Sequence, residues 1–123
     1  MTNTLKSVRQ EIGLQLSAAG VTTYEWIPPR VVTPAAIVEA GSPYMEQGET
    51  FTDFLVRMNI VLLAANATNE VATAELDELI CVAIDALDTF DIEQVNQPEA
   101  FEINGAQYLG ARLNLVTQKD LQT

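Results

Sequence analysis

The stretch from Phe54 to Ala65 constrains the fold more than any other part of the chain. Phe54, Val56, Met58, Ile60 and Leu62 alternate with Leu55, Arg57, Asn59, Val61 and Leu63. Successive side chains of an extended segment point to opposite faces, so one face is wholly apolar and the other begins polar. Such a strand belongs in the middle of a sheet, with one face on the core and the other partly covered. Asn104-Gly105 adds a second constraint. Asn-Gly between two alternating segments marks a hairpin, because a type I′ turn needs positive φ at both central positions. Its arms are Phe101 to Ile103 and Ala106 to Val116. On the longer arm Leu109, Ala111, Leu113 and Leu115 share one face, and Tyr108, Gly110, Arg112 and Asn114 the other.

Two segments follow the helical period instead. Leu5, Val8, Ile12 and Leu16 recur every three or four residues, which predicts a helix over about Asn3 to Ala19, stopped by Gly20. Leu76, Leu79, Ile80, Ala83, Ile84 and Leu87 predict a second helix over about Ala74 to Phe90, with Thr73 as N-cap and Glu75, Asp77 and Glu78 at its positive end. The β-branched and aromatic run Val21 to Ile27 favours a strand ended by Pro28-Pro29. Ala35 to Ala40 favours another, ended by Gly41-Ser42-Pro43. Ile92 to Val95 makes a short strand. Gly41 to Asp53 reads as a long loop and the residues after Thr117 as a frayed tail. The order predicts an α+β domain, a mostly antiparallel sheet of about five strands with two helices packed on one face.

The chain has 123 residues, enough for one domain spanning 1–123. Its 48% hydrophobic content argues against global disorder. With 17 acidic residues against 6 basic ones its formal net charge is -11, and it has no His. Duplex binding draws largely on Lys and Arg displacing counterions from phosphates, so ordinary DNA binding is not expected. Without His the commonest general base and metal ligand are missing. One cysteine, Cys81, allows no internal disulfide and suits a reducing compartment. Cys81 lies near the helical stripe and reads as a small core residue. No signal-peptide or membrane-length apolar run is found, so the expectation is a soluble chain with no membrane association.

Asp77, Glu78, Asp85 and Asp88 crowd the side of the second helix opposite its apolar stripe, and no Lys or Arg lies between Arg57 and Arg112 to pair with them. The plain reading is a solvated face; the sharper one is a surface that repels nucleic acid or meets a basic partner. No loop spacing supports calcium. A pair of carboxylates could serve glycoside hydrolysis only across a sugar-sized cleft, which spacing cannot show. No catalytic, cofactor or metal residues are assigned, and an enzyme is not expected. Tyr44, Met45 and Phe51 lie in a segment long for an idle connection, and their residue types are enriched at interfaces. They either fold back on the core or dock on a neighbouring subunit. Arg30, Arg57 and Arg112 are scarce cations, each a candidate for bridging to a neighbour, Arg30 foremost.

In its organisation the chain resembles the tail terminator proteins of long-tailed bacteriophages. The resemblance covers nearly the whole length. It rests on the N-terminal helix ending at Gly20, Pro28-Pro29-Arg30, the segment Pro34 to Gly41 with the Ser-Pro-Tyr after it, and the long strand leading to the acidic helix Glu75 to Ile80. The closing strand Gln107 to Leu115 completes it. It implies a structural virion protein without catalytic residues. Such a protein forms a hexameric ring, a homo-oligomer that caps the tail tube and stops its polymerisation. It joins the tube protein to the head-completion proteins of the neck, and DNA passes through its channel without specific binding. It would assemble in the host cytoplasm and end in the virion. The alternatives are another neck or tube subunit, or a small acidic intracellular protein-binding module.

Overall fold

The computed structural model describes residues 4–48, 53–64 and 69–120. Eight elements follow in the order α1 (Thr4–Ala18), β1 (Thr22–Tyr24), β2 (Ala35–Gln47), β3 (Asp53–Leu63), α2 (Asn69–Ala86), β4 (Asp91–Val95), β5 (Glu99–Ile103) and β6 (Ala106–Asp120). They form an α+β fold. Its six-stranded sheet runs β1-β2-β3-β6-β4, and β5 also pairs with β6. Only the β1–β2 pairing is parallel.

β3 lies between β2 and β6, as its alternation predicts. Its apolar residues Val56, Met58, Ile60 and Leu62 are fully buried, together with Ala111, Leu113 and Leu115 of β6. Both helices lie on this face. α1 brings Val8, Ile12 and Leu16, and α2 brings Leu76, Leu79 and Ala83, with Leu87 just past its end. Burying one Leu or Ile side chain contributes roughly 1.5–3 kcal/mol, so these two stripes fix where the helices dock. A hydrogen bond of 2.8 Å from Gln15 Nε2 to Thr89 Oγ1 ties α1 to the turn after α2.

The opposite face is divided. At one end Ile37, Val61 and Leu63 form a small second core with Tyr24, Val31, Phe101, Ile103 and Tyr108 packed on it. At the other end Arg57, Asn59, Arg112 and Asn114 replace them, half-buried. The polar start and apolar end of this strand face were legible in the sequence.

The Asn104-Gly105 turn is as expected: φ is 52° at Asn104 and 84° at Gly105. β5 pairs with β6 from Glu99↔Gly110 to Ile103↔Ala106. β3 pairs with β6 only from Gly110 onward, so the hairpin tip projects past the end of β3.

Four boundaries differ from the sequence reading. The segment from Gly41 is not a loop: β2 runs on to Gln47 through an irregularity, five steps on β2 from Ala40 to Met45 against two on β3 from Met58 to Val56. A bulge absorbs the extra residues and accommodates Pro43 without a ladder donor. β1 pairs only with Ala35 to Ile37, so among the described residues no strand pairs with the far edge of this part of β2, and the proline is tolerated there. The first strand is short, Thr22–Tyr24, because its chain leaves the sheet ahead of Pro28. α2 begins at Asn69 and ends at Ala86, so Thr73 lies inside the helix. Buried Ala72 extends the stripe by a turn, and alanine is a faint apolar signal. Finally, Gln118 to Asp120 pair with β3 up to Asp53↔Asp120 instead of fraying, and the rest of the tail lies outside the described residues.

Candidate functional site

The segment from Glu25 to Pro34 connects β1 to β2 by crossing the second face of the sheet. Pro28, Pro29 and Pro34 deny it ladder donors, so it must be held by other means. Arg9 Nη1 donates to the Glu25 carbonyl at 3.1 Å and to the Val38 carbonyl at 3.2 Å. The Val32 amide donates to the Tyr24 hydroxyl at 3.2 Å. Asn104 Nδ2 donates to the carbonyls of Pro28, at 2.6 Å, and Pro29, at 3.0 Å. Val31 packs into the second core.

Pinned in this way, with Pro28 buried, the loop leaves three large apolar side chains exposed. Trp26 is 70% exposed, Ile27 62% and Val32 60%, and Arg30 lies exposed among them. Single exposed apolar residues are ordinary; three on one short, anchored loop, a Trp among them, mark an interaction surface. Leu14, also exposed, lines a shallow groove with Gln10, Gly13, Ser17, Thr23 and Glu25 where α1 meets the start of the loop.

The outer side of α2 forms a second surface. Asp77, Glu78, Asp85 and Asp88 are all exposed, as the helical period requires. Asp88 lies just past the helix end. Cys81 is exposed too, which corrects the expectation of a core cysteine: Asp77, Cys81, Ile84 and Asp88 fall on one stripe, opposite Leu76, Leu79 and Ala83. Ile84 is 42% exposed there.

The other expected interface residues lie differently. Tyr44 and Met45 belong to β2, half-buried against the main core. The Tyr44 hydroxyl accepts a hydrogen bond from Arg9 Nη2 at 3.3 Å. Phe51 lies outside the described residues. Arg57 reaches Glu46 of β2 at 2.6 Å and Glu93 of β4 at 3.3 Å. Arg112 reaches Glu39 at 2.8 Å and Glu99 at 3.4 Å, with its guanidinium 4.9 Å from the Phe101 ring centroid. Both arginines therefore tie the chain's own strands together. The Arg57 guanidinium is held above its already high range, foremost by its short contact with Glu46 and also by the attraction of Glu46 and Glu93, against the opposing effect of burial.

Arg30 stands apart. Among the described residues it makes no ion pair, while Arg9, Arg57, Arg112 and Lys119 are engaged and Lys6 also has a partner. Sequence reasoning picked out Arg30 but missed Trp26 and Ile27, because Val21 to Ile27 read as one strand, and it made nothing of Val32. The Pro28-Pro29 pair after Ile27 was the available sign that the chain leaves the sheet there.

Among the described residues no group of three or more His, Cys, Asp or Glu is placed to hold a metal ion, and no helix is long and apolar enough to cross a membrane. No protein-family model matches the chain, and no curated protein matches it.

Proposed function

We propose that this chain is a structural subunit of the neck of a long-tailed bacteriophage, a tail terminator. It forms a hexameric ring on the finished tail tube, stops tube growth and presents a surface to the head-completion proteins. It works without catalysis or cofactor, assembles in the host cytoplasm and is carried in the virion. The observation that carries the reading is the anchored apolar loop with Trp26, Ile27 and Val32 exposed. A subunit that closes a ring needs two different patches that complement each other, and an apolar patch held in place before assembly loses little entropy on docking. The α+β arrangement on which the resemblance rests supports it as well. The net charge of -11 suits a channel through which DNA slides without being held.

Negative-stain electron microscopy of the purified protein tests the proposal. Rings with a central hole, single or stacked in pairs, are expected. Continuous tubes would favour a tube subunit instead. Small particles would favour the alternative, an acidic module binding a basic protein, for which the exposed Asp77, Glu78, Asp85 and Asp88 are the specific support.

A further inference from the structure

We propose that the loop from Glu25 to Pro34 of one copy docks on the outer side of α2 of a second copy, Trp26, Ile27 and Val32 covering Ile84 and Arg30 meeting the acids beside it. The contact rests on the reading of the chain as a ring subunit.

Three observations on this molecule lead to it. The middle of the loop lies over the second face of the sheet, through Val31 and Asn104, while α2 lies on the first; only the loop's end, Pro34, shares a groove with Glu75, Glu78, Leu79 and Val82 on the flank of α2. The outer stripe of α2, opposite its buried Leu76, Leu79 and Ala83, therefore faces away from the side of the sheet that carries the middle of the loop. One copy cannot satisfy both with itself, and contact between them is head-to-tail, the kind that closes rings. Each surface also has what the other lacks. The loop carries exposed apolar groups and Arg30, the one cation without an ion pair, hydrogen bond or other partner among the described residues. Glu25, the loop's one acid, is half-buried in the groove beside α1. The stripe on α2 carries exposed Ile84 between Asp77, Asp85 and Asp88, and the helix contains no Lys or Arg. Burying Trp26 against Ile84 removes both from water, and an arginine placed among carboxylates fixes the register. The acidic side of α2 is then turned to a neighbour and not to DNA.

Sedimentation velocity over a concentration series, with Trp26→Asp, Ile84→Asp and Arg30→Glu, tests the contact. All three side chains are exposed, and circular dichroism checks that each variant keeps its fold. The wild type should assemble. Trp26→Asp and Ile84→Asp should sediment as monomers, and Arg30→Glu should weaken assembly about tenfold or more. A 1:1 mixture of Trp26→Asp and Ile84→Asp should stop at a heterodimer, because the intact helix of the first meets the intact loop of the second and no further contact is available. Assembly of the wild type and of either single Asp variant alike would overturn the contact while leaving the ring reading standing. A mixture with no heterodimer would overturn the head-to-tail pairing. A wild type that is monomeric at every concentration would overturn the contact and the ring reading together.

Discussion

The side-chain amide of Asn104 donates to the carbonyl oxygen of Pro28 at 2.6 Å across 76 residues of sequence. The tip of the β5–β6 hairpin thereby holds the proline-rich loop on the second face of the sheet. Asn104 has two roles at once. It takes the positive φ that the turn needs, and it satisfies carbonyls of a segment that no ladder reaches.

Replacing Asn104 separates those roles. Asn104→Gly keeps the turn and loses the amide, which should cost about 0.5–1.5 kcal/mol. Asn104→Ala also forces a left-handed conformation on a Cβ-bearing residue and should cost about 1–2 kcal/mol more. Urea unfolding measures both. Trp26, the chain's only Trp, reports on the loop directly: its fluorescence should lose anisotropy in both variants. Unchanged anisotropy would mean that the loop is held by its other contacts alone.

Gly41 lies where β2 begins its bulge against β3. A Cβ there would stand 2.6 Å from Arg57 Cβ and 2.7 Å from the Arg57 carbonyl carbon and oxygen. Backbone cannot move aside as a flexible side chain can, so Gly41→Ala should destabilise the fold by about 1–3 kcal/mol. Thermal unfolding that matched the wild type would show that the bulge relaxes freely.

Arg57 joins β2 to β4 through Glu46 and Glu93. Its pKa is raised, so its charge and the stability it contributes persist at every accessible pH below that value and disappear only in strong alkali. Arg57→Gln should therefore lower stability by the same amount from neutral pH to mild alkali. It should also speed hydrogen exchange in β4, the edge strand it tethers. A difference from wild type that shrank across that range would contradict the assignment.

Cys81 is exposed on α2. A thiol reagent should modify it without denaturant. If α2 is a contact surface, labelling should slow by about tenfold or more once the protein is concentrated enough to assemble. Mass spectrometry across a dilution series reads both effects, and equal rates in free and assembled protein would place the contact elsewhere.

Assembly should strengthen with salt. Each copy brings a charge of -11, and repulsion between copies outweighs the single Arg30 contact until it is screened, over ~8 Å at physiological ionic strength. Light scattering across a salt series checks this; rings that dissociate as salt rises would show that attraction between opposite charges dominates.

The sequence by itself determined the elements whose signals are local. Alternation along β3, the helical stripes of α1 and α2 and the Asn104-Gly105 turn all specify structure within a few residues. They were sufficient to predict the α+β layout with both helices on one face. Exposure of Asp77, Glu78, Asp85 and Asp88 followed from the same period. Only the tertiary structure decided the rest. Gly41 and Pro43 are breakers in isolation, yet pairing with β3 carries β2 past them because a bulge at an unpaired edge absorbs the misfit. Arg57 and Arg112 look free in a sequence poor in cations, but the sheet brings Glu39, Glu46, Glu93 and Glu99 alongside them. Whether Trp26 is buried or exposed depends on where the chain goes after Tyr24. That path is held by Arg9, by Val31 packing into the second core and by Asn104, far along the chain, long-range contacts that no local pattern encodes.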